Sequence, residues 1–290
     1  EVKLVPSGYT GSIVLPDGVT EVGAYAFSSI AGVTSVDLND VENIGTGAFY
    51  QFGGTNGVTV TAGDALRTIG DSAFMRSTIT RIVLPEGVES IGTGAFSYCT
   101  SLADAELVLP ESLSYVGAEA FAYTSGITGV TFNSALTKVS DYMFYNSADL
   151  AGIDFGNVTE IGNYAFYGCT ALREVVIPDA VTEIGESVFR GCTGLVSVTL
   201  PDGLDSVPMY MFYGCTSLAG IDIPESVTEI GDYAFYGCGS ISEFDFKNVE
   251  AVAVYAFVGT DLEEVDAPKL KVVGSAAFGE LPLVSVNLPE

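Results

Sequence analysis

Histidine and tryptophan are absent from this 290-residue chain, and basic residues are scarce: 10 Lys and Arg stand against 37 Asp and Glu. Without histidine there is no Ser/His/Asp or Cys/His nucleophilic site and no His-ligated zinc. The net charge of −27 excludes a nucleic acid partner, because binding a phosphate backbone requires Lys and Arg to displace its counterions, and anionic lipid heads are repelled for the same reason. No apolar run approaches the roughly 18 residues that a membrane-crossing helix needs. The opening Glu1-Val2-Lys3-Leu4 has no charged segment leading into an apolar one, so no signal peptide is read there and no direct membrane insertion is expected.

Such a charge would point to disorder in a polar chain, but 48% of the residues are hydrophobic and the mean hydropathy is +0.40. The acids must therefore coat a folded surface. Self-similarity supplies that fold. An aromatic mark, usually Ala-Phe, recurs at Phe27, Phe49, Phe74, Phe96, Phe121, Phe144, Phe166, Phe189, Phe212, Phe235, Phe257 and Phe278, in steps of 21 to 25 residues. That period is too short for paired-helix repeats and fits one coil of a β-rich solenoid.

The unit from Cys169 to Phe189 shows how a coil is built. Val175 and Ile177 alternate with Glu174 and Val176, the period of a short strand with one buried face, and Pro178 stops it. Val181 and Ile184 turn back inward, Gly185 is expected at a positive φ, and a short helical or 3₁₀ turn is expected to carry Phe189 into the core. One coil cannot bury its apolar side chains alone, so stacking supplies about 1.5–3 kcal/mol for each one fully buried. Irregular stretches around Phe52 to Asp64 and Ala103 to Glu106 account for the longest steps and are expected loops or bulges.

The run Ile223-Pro-Glu-Ser-Val-Thr-Glu-Ile-Gly231-Asp-Tyr-Ala-Phe235-Tyr-Gly-Cys238 closely resembles the BspA-like (Treponema pallidum type) leucine-rich repeat, and the pattern spans Ile13 to Pro289. The resemblance implies a right-handed leucine-rich-repeat solenoid of about twelve coils, forming one domain over residues 1–290. It also implies a bacterial cell-surface protein with adhesion or host-protein binding as its role. Departures are local: Val207-Pro208 replaces Ile-Gly, and Ala253 replaces the glycine. The chain opens and closes within a repeat, so a piece of a longer surface protein is expected, its signal and anchor lying elsewhere.

Three sets of residues recur at fixed repeat positions. Cys169, Cys192, Cys215 and Cys238, each three residues after the repeat Phe as is Cys99, form a column in consecutive coils. Their Cβ vectors run parallel, which disfavours disulfides, so they are expected to pack as buried thiols bonding loop backbone. Tyrosines two before and one after the Phe form the pairs Tyr142/Tyr145, Tyr164/Tyr167, Tyr210/Tyr213 and Tyr233/Tyr236. They read either as mutual stacking or as an aromatic strip for a protein or glycan. Acids at outward strand positions, namely Asp37, Asp154, Glu174, Asp222, Glu243, Asp245, Glu264 and Asp266, would align into a negative sheet face. That face reads either as a solvated surface that blocks aggregation or as a site for a basic partner.

There is no EF-hand loop and no Gly-Gly-x-Gly-x-Asp calcium repeat, so neither metal nor cofactor is expected. Paired carboxylates leave glycoside hydrolysis as a remaining chemistry, but acids that recur by repeat offer no obvious cleft, and no enzyme is expected. Two roles remain: a monomeric extracellular recognition module for a protein or glycan, or a passive spacer holding another domain off the envelope.

Overall fold

The computed structural model describes residues 8–103 and 106–289, and of Ile82 the backbone alone. Every coil but one, at 242–246, contributes two short strands among the described residues, and successive coils set them side by side in two ladders of parallel strands. In the first ladder Gly11–Val14, Val33–Asp37, Val58–Thr61 and Ile79–Ile82 pair in order. Glu106–Val108, Gly129–Thr131 and Gly152–Asp154 follow, then Glu174–Val176, Ser197–Thr199 and Gly220–Asp222, and last Glu264–Asp266 with Ser285–Asn287. Two-residue strands from Glu21–Val22 to Val272–Val273 build the second ladder.

The register is one coil per step. Val175, Val198 and Ile221 lie abreast on the inward face, while Glu174, Ser197 and Gly220 form one outward row and Val176, Thr199 and Asp222 another. The period-2 alternation thus becomes one buried column between two exposed ones. Behind the ladders the repeat phenylalanines stack without a break from Phe27 to Phe278, with ring centroids of neighbouring coils from 5.0 to 6.0 Å apart. All but the last are buried. Offset stacks at this spacing suit the ring quadrupole, which makes one Phe per coil the spine of the core.

The helical or 3₁₀ turn expected at the repeat Phe is not there; no helix occurs among the described residues. In its place the chain makes successive tight turns, left-handed two residues before and two after every Phe, as at Tyr164 (φ 56°) and Gly168 (φ 70°) around Phe166. The reason lies in the hydrogen bonds. Tyr164, Phe166 and Gly168 donate their N–H groups to Glu186, Val188 and Arg190 of the next coil, while Tyr167 and Cys169 donate to carbonyls three residues back. A helix would aim every N–H along its own axis; stacked coils need alternate ones aimed at a neighbour.

A second expectation is also corrected. Gly185 does not have a positive φ. It is glycine because coils approach closely there: a Cβ would lie 2.7 Å from the Asn163 backbone nitrogen, as it would at Gly231 against Met209. Of the two irregular stretches, the first turns at Gly53 (φ 104°) and Gly57 (φ 77°) and buries Phe52 edge-on against Phe49 at 5.1 Å. In the second, Asp104 and Ala105 lie outside the described residues.

Candidate interaction surfaces

The acidic residues do not form one continuous sheet face. They fall into the two outward rows and are interrupted by other side chains: Asp37 lies between Val14 and Thr61, Asp154 beside Thr131, Glu174 beside Ser197, and Asp222 beside Thr199. Several are occupied locally. The carboxylates of Asp37, Asp154 and Asp245 each accept the backbone N–H two residues on, from Asn39, Gly156 and Lys247, closing the turn after the strand. The Lys247 amide, and its ammonium 3.1 Å away, hold Asp245 below the usual carboxylate range. Asp266 accepts from the Asn287 amide at 2.7 Å.

Acids do run together at one place, in the coils of Phe235 and Phe257. Phe244 stands there where other coils put Val, Ile or Leu on the inward strand position. Its ring is half-buried and packs edge-on to Phe235 and Phe257 at 5.2 and 4.8 Å. No strand forms at 242–246, so the first ladder lapses between Gly220–Asp222 and Glu264–Asp266, as it also does after Ile79–Ile82 and after Gly152–Asp154 where the strands themselves persist. The coils are not spread: Phe235 and Phe257 stack at 5.2 Å and Asp261 N–H donates to the Ile241 carbonyl at 2.9 Å, so the ring is accommodated within the ordinary coil spacing. Beside the ring is a groove of about 460 Å³ lined by Ser242, Glu243, Phe244, Asp261, Glu263, Glu264 and Asp266. Glu243 and Glu264 are exposed and have no hydrogen-bond or ion-pair partner among the described residues.

The predicted cysteine column is buried, and all five thiols are free. Each Sγ donates to the carbonyl of the Phe in the preceding coil: Cys169 to Phe144 at 3.2 Å, Cys192 to Phe166, Cys215 to Phe189 and Cys238 to Phe212 at 3.0–3.1 Å. Ser147 makes the same bond to Phe121, at 2.8 Å. Burial pushes Cys99, Cys192 and Cys238 up to about 12, and Cys169 and Cys215 well above the ordinary thiol range. These are neutral thiols, not nucleophiles.

The eight predicted tyrosines come together, although on a turn and not on a helix. Rings within a coil lie 5.6–6.1 Å apart and tilted, as in Tyr142 and Tyr145 or Tyr164 and Tyr167. Between coils they stack nearly flat: Tyr142 on Tyr164 at 4.8 Å, Tyr145 on Tyr167 at 4.5 Å, Tyr210 on Tyr233 at 5.0 Å and Tyr213 on Tyr236 at 4.9 Å. All eight are half-buried. Flat stacking covers the ring faces and leaves edges and hydroxyls outward. Burial, reinforced by the neighbouring Tyr167 and Tyr123, pushes Tyr145 up to about 12.

Sequence reasoning missed part of this strip. Tyr98 and Tyr123, two residues after their Phe, stack at 4.3 Å and extend it, and Tyr255 continues it beyond Tyr233 at 5.1 Å. Arg190 takes the tyrosine position in the Phe189 coil, its guanidinium 4.4 Å from the Tyr213 centroid and 4.9 Å from Tyr210. The constant offset from the repeat Phe was the available signal. Also missed was a ladder of turn caps, in which Asp141, Asn163 and Asp232 each accept the N–H of the next coil at 2.8–2.9 Å.

The geometry agrees with what comparison shows. The BspA type leucine rich repeat region matches residues 8–105 and 159–283, in six copies. This chain belongs to the BspA-type leucine-rich repeat family. Solenoids of this family are typically non-catalytic, and membership supports a protein-interaction module. Among solved structures, a BspA-type chain such as this one is similar to a leucine-rich repeat protein from Bacteroides ovatus ATCC 8483. Identity is 23% over 91% of this chain and 82% of that one, with a TM-score of 0.58. It is also similar to a leucine-rich repeat protein from Eubacterium ventriosum ATCC 27560, with 20% identity over 94% of this chain and 83% of that one and a TM-score of 0.57. At these identities the likeness is one of fold. No curated protein matches the sequence. Among the described residues there is no group of three or more His, Cys, Asp or Glu that could hold a metal, and no helix long and apolar enough to cross a membrane.

Proposed function

We propose that this BspA-type solenoid is a cell-surface recognition module that engages a basic extracellular protein, or a basic patch on one, through the acid-lined groove beside Phe244. Family membership supports surface display and interaction. The observation that carries the choice of face is the groove where no strand forms at 242–246 and where Glu243 and Glu264 stand exposed and unpaired around an apolar ring. Of the other acids on the first ladder's outward rows, Asp37, Asp154, Glu174 and Asp222 stand beside neutral side chains and Asp245 is tied to a turn, as a merely solvated face would be. A rigid stack holds the groove's acids in place without ordering cost on binding.

The test is binding to extracellular-matrix and mucin components at low and high salt, comparing the parent with a Glu243→Lys, Glu264→Lys double variant. The screening length falls from about 8 Å at physiological salt to about 3 Å at 1 M, so exposed charge pairing should weaken steeply. Binding that is salt-sensitive and lost on charge reversal supports the module. A spacer would show no salt-sensitive partner. A neutral-glycan site would bind without regard to either change.

A further inference from the structure

On another part of the solenoid, we infer that the tyrosine strip carries a subsite for the guanidinium of a partner's arginine, seated on Glu119 between Tyr98, Tyr123, Tyr142 and Tyr145. This inference does not rest on the acid-lined groove.

Two tyrosine positions of the strip are left unfilled in one coil. Coils of the strip that put tyrosine both two residues before and one residue after the repeat Phe pack the two rings 5.6–6.1 Å apart. In the Phe121 coil both positions lack tyrosine: Glu119 holds the first and Ala122 the second. The space left is a pocket of about 270 Å³ lined by Tyr98, Glu119, Ala122, Tyr123, Tyr142 and Tyr145. The stack also breaks there. Tyr98 lies flat on Tyr123, with 10° between the planes, but Tyr123 meets Tyr145 at 56°. A tilted junction exposes ring face that flat stacking covers elsewhere, and a ring face attracts a cation.

The chain itself supplies the precedent. Ser187 and Arg190 replace the two tyrosines of the Phe189 coil, and the guanidinium of Arg190 lies 4.4, 4.9 and 5.9 Å from the centroids of Tyr213, Tyr210 and Tyr167. At the strip's other end Arg76, from the preceding coil, lies 4.8 Å over Tyr98. Twice, then, a guanidinium fills this aromatic lattice. The Phe121 pocket has a carboxylate instead: Glu119 is exposed, held at φ 57°, and has no ion pair or hydrogen bond of its side chain among the described residues. One carboxylate is too few oxygens for calcium, which takes six to eight. A planar cation that stacks on a ring while donating to a carboxylate fits, and arginine does both where lysine offers only a point charge.

The probe is N-acetyl-arginine methylamide titrated into the full chain with isotope-labelled tyrosine rings followed by NMR, the lysine counterpart serving as comparison. Saturable shifts are expected at Tyr98, Tyr123, Tyr142 and Tyr145, in the millimolar range expected of a single cation–π site. Glu119→Gln, an exposed change that leaves the core untouched, should weaken binding by about threefold to tenfold. The inference is overturned if these rings show no saturable shift, if Glu119→Gln binds like the parent, or if the lysine probe binds as tightly. Charge reversal at Glu243 and Glu264 should leave this binding intact, so the two surfaces stand or fall separately.

Discussion

Truncating Phe166 to alanine tests the spine of the solenoid. Its ring is fully buried, 5.8 Å from Phe144 on one side and 5.7 Å from Phe189 on the other, with Phe155 edge-on at 5.9 Å. Removing it forfeits about 1.5–3 kcal/mol of burial and ring contacts of about 0.5–1.5 kcal/mol for each aromatic pair. These contributions overlap, and the coils on either side are tied through Phe144 N–H to Ala165 (2.8 Å) and Phe166 N–H to Val188 (3.1 Å), so the hole cannot close fully. A net loss of about 3–5 kcal/mol follows. Phe278→Ala, at a ring only half-buried, should cost clearly less. Urea unfolding followed by far-ultraviolet circular dichroism and by tyrosine fluorescence, which no tryptophan obscures, measures both. A Phe166→Ala cost below about 1 kcal/mol, or one equal to that at Phe278, would refute the stacked-ring account of the core.

Two further outcomes follow from the coil geometry. Gly185→Ala should destabilise by roughly 1–3 kcal/mol, because the added Cβ meets backbone that must shift; an unchanged urea midpoint would mean that coil spacing there is slack. At alkaline pH the tyrosine strip should weaken the fold. Tyr145 is raised to about 12 from the ordinary 10, so its neutral form is favoured in the folded state. That stability is fully present below pH 10 and is lost as pH climbs from there through about 12. Tyr145→Phe should flatten that part of the profile. A single phenolate midpoint near 10 for all 15 tyrosines, read by near-ultraviolet absorbance, would contradict the raised value.

Periodicity was legible because each repeat position has one job. Phe189, Val175 and Ile177 recur as apolar types at fixed spacing since every coil must bury the same face against the next. The turn around each Phe was not legible in the same way. Tyr164 and Tyr210 sit in the left-handed region, which tyrosine does not announce, and the cost of roughly 1–2 kcal/mol is met by N–H groups aimed at the neighbouring coil. Gly185 misled for the opposite reason: a glycine looks the same in sequence whether it serves a positive φ or a close approach.

The amino-acid sequence by itself determined the solenoid, its coil count and which columns face inward, because burial acts on each residue through a repeated local pattern. Tertiary structure alone decided how the outward columns group. The acids of Asp37 and Asp154 are separated by their neighbours in adjacent coils, whereas Glu243 and Glu264 line one groove beside Phe244, where no strand forms. Likewise the pocket at Glu119 exists only where the tyrosine stack of four coils tilts and two tyrosines are missing. Neighbours 21 to 25 residues apart set these surfaces, and their packing, not their spacing, leaves an opening in one place and fills it in another.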